Sequence, residues 1–282
     1  MTASDAALPS PAEILRQSGL SPKKSFGQHF LLDPSIVGRI AACAAPSADN
    51  TVIEIGPGPG GLTRALLQSE AAKVIAIEHD HRFVSALTPM VEAADGRLEV
   101  IDGDAVGMDL TALCPAPRQI VANLPYNVST VLLTKWLEII SNFDRMVLMF
   151  QKEVALRLTA SRGEKAYGRL SVMTQWAGIV AYEFTVIAGS FAPPPKVDSA
   201  VVSITPRSGQ RAVPWPVMEK VVGAAFGQRR KMLRRALRPL GDTEALLGKS
   251  EISPEARAED LSVEEFERLA ATFQAMAKSA SR

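Results

Sequence analysis

Five apolar runs recur through the first half of the chain, at Thr51–Gly56, Lys73–Glu78, Arg97–Asp102, Gln119–Leu124 and Arg145–Phe150. Each is short, rich in Val and Ile, and mostly apolar rather than strictly alternating, which predicts strands buried on both faces. Between them, 61–70, 80–93 and 129–140 place apolar residues at helical spacing over helix-like lengths. Strand and helix in alternation predict a βαβ architecture: an α/β fold with a mostly parallel sheet covered by helices on both sides.

The pattern changes after Phe150. QKEVALRLTA at 151–160 predicts a helix, while RLSVMTQWA at 169–177, AYEFTVIA at 181–188 and VDSAVVSITP at 197–206 predict strands. The last two are joined by GSFAPPPK, a loop stiffened by consecutive prolines and too short for a parallel crossover. The sheet is therefore expected to carry an antiparallel edge towards its C-terminal side. SGQRAVPWP reads as a linker and 214–282 as helical, so the expected domains are 1–206 and 207–282. The opening segment to about residue 20 is Ala/Ser/Pro-rich and is expected to fray, apart from a short helix over 11–17.

Two strand ends carry candidate chemistry. VIEIGPGPGGL at 52–62 places Gly56, Gly58, Gly60 and Gly61 directly after a buried strand, where glycine permits a sharp turn and close approach to a ligand. Glu78 ends the next strand and is placed to accept hydrogen bonds from both hydroxyls of a ribose. These features suit a nicotinamide dinucleotide as well as a methyl donor. Two others favour the donor. Glu54 puts a negative charge inside the strand, fitting a sulfonium, and Pro57 and Pro59 remove amides that a pyrophosphate would need. Asp104, after the third strand, is positioned to accept from an adenine amine of the cofactor. The second strand end, IVANLPYNVST at 120–130, suits a planar base bearing an amine. The Asn123 side-chain oxygen and the Leu124 carbonyl would accept the amine hydrogens and direct its lone pair, Pro125 would stiffen the turn, and Tyr126 would offer a stacking face.

Composition narrows the setting. With 47% hydrophobic and 22% charged residues the chain is ordinary for a globular protein. No apolar run approaches the ~18 residues that span a bilayer, and the first twenty residues lack the basic start and apolar core of a secretory signal. Cys43 and Cys114 have no metal-ligand spacing, so no metal site is expected, and reduced thiols fit a cytoplasmic protein. The net charge of +1 conceals a segregation: 207–238 carries nine Lys/Arg against Glu219 alone, and 239–282 carries nine acidic residues against five basic. Such asymmetry is common in nucleic-acid binders, and Arg229, Arg230, Lys231, Arg234 and Arg235 are the candidate RNA contacts.

The chain closely resembles the ribosomal RNA adenine N6,N6-dimethyltransferase family, in its small-subunit branch. The resemblance runs from about Lys23 to the C-terminal helices, through KKSFGQHFLLD at 23–33, EIGPGPG at 54–60, ANLPYNVST at 122–130, FQKEVALRL at 150–158, YGRLSVM at 167–173, FAPPPKVDSAVV at 191–202 and AFGQRRKMLRRAL at 225–237. It implies a Rossmann-like class I methyltransferase sheet with a small helical RNA-binding domain. It also implies S-adenosylmethionine as cofactor and dimethylation of two adjacent adenines near the 3′ end of small-subunit rRNA. His29 and Leu31 would join Gly56, Glu78, Asp104 and Asn123 around the cofactor, and Phe191 would form a second aromatic wall for the target base. The substrate would be small-subunit rRNA within a pre-ribosomal particle, met by a monomer. Three other readings stand beside this one: a large-subunit adenine methyltransferase sharing the same two motifs, a nicotinamide oxidoreductase, and a non-catalytic ribosome-assembly factor.

Overall fold

The computed structural model describes residues 8–22, 28–209 and 211–280. The described chain divides into two compact units. One comprises residues up to Ala155 together with Ala181–Pro206, and the other Leu156–Val180 and the chain from Arg207 onward.

The first unit opens with α1 (Pro11–Ser18), capped by Ser10 and Glu13 in reciprocal hydrogen bonds. From Leu8 the segment expected to fray is packed, because Leu8 and Ile14 are buried in the core. A short strand β1 (Phe30–Leu31) and helix α2 (Pro34–Ala44) follow. Then come β2 (Thr51–Ile55), α3 (Gly61–Leu67), β3 (Lys73–Glu78), α4 (His81–Ala86), α5 (Thr88–Ala93), β4 (Leu98–Asp102), β5 (Arg118–Asn123), α6 (Ser129–Glu138) and β6 (Arg145–Gln151). All five predicted strands form within a residue or so of their expected ends. The single helix expected over 80–93 is two, because Pro89 in the first turn of α5 has no amide to continue α4.

The chain continues with α7 (Lys152–Thr159), α8 (Arg169–Ala177), β7 (Gly178–Val186), β8 (Phe191–Ala192) and β9 (Ser199–Pro206). The main sheet has seven strands in the order β4-β3-β2-β5-β6-β9-β7, and the pairs from β4 through β6 are parallel. The antiparallel strand is β9, paired with β6 from Met146↔Ile204 to Gln151↔Ser199. It lies beside β7, which occupies the edge, so the two strands predicted at 181–188 and 197–206 are neighbours at the C-terminal edge of the sheet as expected. Alternate strand residues sort onto the two faces. Val52, Val74, Val121, Val147 and Val201 join the cluster formed with α2, α3 and α5. Their neighbours Ile53, Ile75, Ile120, Leu148 and Val202 lie outside that cluster and are equally buried.

The second unit holds α8, α9 (Trp215–Gly227), α10 (Leu233–Ala236), α11 (Thr243–Lys249) and α12 (Val263–Ala280). Phe226 stacks on Phe266 with centroids 5.6 Å apart, Tyr167 donates to the Leu261 carbonyl at 2.9 Å, and Trp176 Nε1 donates to Glu267 at 2.9 Å. RLSVMTQWA, expected as a strand, is the helix α8. Ser171, Val172, Met173, Thr174, Trp176 and Ala177 are all buried, so the helix is enclosed on nearly every side and shows no amphipathic stripe. Its hydroxyls bond internally, Thr174 to the Leu170 carbonyl and Ser171 to the Arg157 carbonyl. The division at 207 is therefore joined by two further crossings, after Ala155 and after Val180, with 156–180 belonging to the helical unit.

Candidate active site

The strand order reverses direction around β2: the chain runs outward through β3 and β4, then returns to place β5 on the other side. A crevice opens at the carboxyl ends of the strands at such a switch point. The register Ile55↔Ala122 sets Gly56 beside Asn123, and Ile55↔Ile77 sets it beside Glu78. Gly56 N–H closes that corner on the Ile77 carbonyl at 2.9 Å. Three strand ends thus deliver the glycine turn, the acid and the NLPY turn to one cavity. Among its lining residues are His29, Leu31, Glu54, Gly56, Gly58, Glu78, Asn123, Leu124, Pro125, Tyr126 and Phe191.

The glycine turn is shaped by close packing. A Cβ on Gly60, at φ +81°, would meet Met90 at 2.8 Å and Leu87 at 2.9 Å, and one on Gly61 would sit 2.7 Å from the Leu31 carbonyl oxygen. Three of the turn's amides are spent inside the protein. Gly56 N–H binds Ile77, Gly60 N–H binds the Pro57 carbonyl at 2.9 Å, and Gly58 N–H donates to Glu78 Oε2 at 3.0 Å. Pro57 and Pro59 have none. No Lys or Arg lines the cavity among the described residues, whereas Glu54, Glu78 and Asp80 all do. A wall of carboxyl groups with no cationic side chain among them suits a positively charged ligand and opposes a pyrophosphate.

Each carboxyl group is held differently. Glu78 is buried, which pushes its pKa up, while the amides of Asp80 (2.8 Å, to Oε1) and Gly58 work against that rise. Each oxygen accepts one amide and keeps a lone pair for a ribose hydroxyl. Glu54 is almost fully enclosed, and burial lifts its pKa to about 8; Thr63 beside it opposes the shift, and the Glu78 charge adds to it. Its Oε2 has no hydrogen-bond partner among the described residues. That orphaned acceptor and the spare lone pairs of Glu78 fit a ligand with a positive charge and a ribose, as S-adenosylmethionine has. Asp80 caps α4 and is gripped by Arg82 (2.6 and 2.9 Å) and Gln28 (3.1 Å), which, chiefly through Arg82, hold its pKa near 2.

The other half of the cavity is built on the NLPY turn. Asn123 Nδ2 points at the His29 carbonyl, 3.4 Å away, which leaves Oδ1 without a donor among the described residues. Tyr126 is fixed at both ends: Ser129 Oγ donates to its carbonyl at 3.0 Å, and its hydroxyl meets Ser199 Oγ at 2.7 Å. The His29 ring lies 6.1 Å from the Tyr126 ring at 26°, and His29 Nδ1 contacts the Pro193 carbonyl at 2.8 Å. Strand β1 pairs antiparallel with β8 through Leu31↔Phe191, so the residues after GQ and those before PPP form one small ribbon at the cavity. Phe191 is buried and belongs both to the core and to the cavity lining.

Asp104 stands apart. It is exposed, outside the cavity lining, and Oδ1 accepts from Val106 N–H at 2.9 Å. The link to the site is Gly103, whose amide binds the Glu78 carbonyl at 2.9 Å. The basic run also divides. Arg229 is engaged within its own unit, by Glu259 at 2.9 Å and the Lys165 carbonyl at 2.8 Å, while Arg230, Lys231, Arg234 and Arg235 are exposed and make no ion pair among the described residues. Lys23–Gly27, the start of the KKSFGQHFLLD string, lie outside the described residues. The motifs alone do not point to Ser129, Ser199 or Asp80. For Ser199 the signal was a polar residue opening the apolar run Ala200–Val202.

The family model for ribosomal RNA adenine dimethylase matches residues 19–275. The chain belongs to the ribosomal RNA adenine dimethylase family. With that membership come the enzyme class, methylation of adenine in ribosomal RNA, and the methyl donor, S-adenosylmethionine. The chain is 51% identical over 269 residues to the ribosomal RNA small subunit methyltransferase A of Rhodospirillum rubrum, covering 95% of this chain and 93% of that one. Its fold is similar to a dimethyladenosine transferase from Plasmodium falciparum, with a TM-score of 0.74 at 28% identity over 86% of this chain and 96% of that one. It is also similar to the 23S rRNA methyltransferase ErmE, with a TM-score of 0.68 at 26% identity over 87% and 99%. The architecture is the α/β class I methyltransferase fold.

Proposed function

We propose that this enzyme dimethylates N6 of two adjacent adenines near the 3′ end of small-subunit (16S) rRNA, acting as a cytoplasmic monomer on a pre-ribosomal particle. One observation carries the mechanism: the Asn123 Oδ1 acceptor and the Leu124 carbonyl close β5 at the wall of the same cavity that holds Glu54 and Glu78. The choice of the small subunit is supported by the half-identical relative of that name, against a quarter identity to ErmE.

An adenine amine is a weak nucleophile because its lone pair is delocalised into the ring. Asn123 Oδ1 and the Leu124 carbonyl accept its two hydrogens, favour the pyramidal form and point the lone pair at the donor. Tyr126 and Phe191 hold the base by stacking. Bound S-adenosylmethionine supplies a methyl group already activated on sulfonium. Glu78 fixes the ribose, Glu54 faces the donor's positive charge, Asp104 offers its remaining oxygen to the adenine amine, and His29 and Leu31 close the near side. The protein's contribution is chiefly orientation, and no base is needed before attack, since the proton becomes acidic once the nitrogen is alkylated. Arg230, Lys231, Arg234 and Arg235 engage RNA phosphates.

The test is to incubate the protein with labelled S-adenosylmethionine and under-methylated small and large subunits and map the label. Two adjacent dimethyladenosines near the 3′ end support the reading. Label in large-subunit RNA, or none at all, overturns it.

A further inference from the structure

The hydroxyl–hydroxyl contact at the back of the base slot has no place in the chemistry above. Ser199 is fully buried, and its Oγ lies 2.7 Å from the Tyr126 hydroxyl, with no other side-chain partner among the described residues. Its backbone is fixed twice, as the first residue of β9 opposite Gln151, and through Lys152 N–H bonded to the preceding Asp198 carbonyl at 2.9 Å. The Asp198 carboxylate in turn accepts the Ala188 N–H at 3.0 Å and closes the base of the loop that carries Phe191. Ser199 and Phe191 therefore belong to one braced connection. Tyr126 belongs to the other wall, where Ser129 holds its carbonyl.

We propose that Ser199 is a positioning residue for methyl transfer, pinning the Tyr126 ring and tying the NLPY turn to the connection that bears Phe191. The inference rests on the reading that Tyr126 stacks on the target base. A ring anchored only at its backbone samples several rotamers. Anchored at its hydroxyl as well, it presents one face at one distance from Phe191, so less freedom is lost when the base enters and the amine arrives aligned. Burial raises the Tyr126 pKa, so the phenol stays protonated and the hydrogen bond persists across the working pH range.

A double-mutant cycle tests this. Ser199→Ala and Tyr126→Phe each remove the hydrogen bond from one side and keep the ring. Each is expected to slow single-turnover methylation of under-methylated small subunits roughly three- to tenfold at saturating RNA and donor, the scale of one net hydrogen bond. The double variant is expected to be no slower than the slower single, because both delete the same interaction. Affinity for S-adenosylmethionine, measured by calorimetry, is expected to stay at the wild-type value, which also certifies the fold. Should Ser199→Ala fail to bind donor, Ser199→Cys, close in size and a poor hydrogen-bond partner, takes its place in the cycle. A wild-type rate in Ser199→Ala, or losses that multiply in the double variant, overturns the proposal. If the wild-type protein itself leaves the subunits unlabelled, the functional reading falls. If it labels them and the losses multiply, only the role of Ser199 falls.

Discussion

Glu54 and Glu78 are acids on neighbouring strands, both buried, and their surroundings set them different tasks. Glu78 is tied to two amides while its remaining lone pairs face the cavity. Glu78→Ala is expected to weaken S-adenosylmethionine binding by about 1.5–3 kcal/mol, and to lower stability by about 1–2 kcal/mol because two amides lose their acceptor. Calorimetry and denaturation read the two effects, and unchanged donor affinity would remove Glu78 from the site. Glu54 has only Thr63 to set against the cost of burial, and its pKa of about 8 makes a pH prediction. Between its ordinary value of 4.5 and 8, the unfolded chain has released a proton that the folded state keeps. Its contribution to stability is therefore complete below 4.5 and is lost as pH rises towards 8, at up to about 1.4 kcal/mol per unit. Glu54→Gln is expected to flatten that decline, measured by urea denaturation without donor at pH 5 and pH 8. Equal slopes in both proteins would show that Glu54 ionises freely in the fold. For the chemistry, Asn123→Ala is expected to cut the single-turnover rate at saturating RNA by tenfold or more, with donor affinity changed far less. A near-normal rate would refute amine orientation by its side chain.

At the scale of elements, the cavity depends on how closely α3 approaches β1. The start of α3 passes under the Leu31 carbonyl with room for hydrogen but not for a methyl group. Gly61→Ala is expected to push β1 away, and the obstacle is backbone, so no side chain can turn aside. The loss should be about 1–3 kcal/mol in stability, accompanied by weaker donor binding, since Leu31 and the adjoining His29 line the cavity. Thermal denaturation with and without donor reads both, and a variant matching wild type in the two would mean that β1 yields without strain. The helix α8 shows the opposite relation between sequence and element. A helix buried on nearly all sides carries no periodic stripe, and Val, Met, Thr and Trp in a short run satisfy a strand pattern as well.

At the scale of the whole molecule, the charge segregation is what motivates the proposal that the exposed cations meet RNA. Replacing Arg230, Lys231 and Arg234 with Gln is expected to weaken binding to small subunits and to reduce the log–log salt slope by about 0.7–0.9 for each phosphate that is no longer neutralised. Donor affinity should not move. Arg229 is best left in place, since its ties to Glu259 and the Lys165 carbonyl make its replacement a stability effect. An unaltered slope would reassign the run as a solvated helix face. No helix among the described residues is long and apolar enough to cross a membrane.

The sequence by itself determined the parallel strands, the glycine turn with its acid, and the NLPY turn, because each is a local pattern of apolar period and backbone constraint that tertiary context does not reverse. It also carried the family resemblance that the family model bears out. Tertiary structure decided the rest. It turned RLSVMTQWA into a helix by enclosing it, and placed β9 inside the sheet edge by pairing it with β6. It also engaged Arg229 within its own unit while leaving its neighbours exposed, and brought Ser199 to Tyr126 across 73 positions of chain. Those outcomes depend on which distant groups meet, and no window of sequence contains both partners.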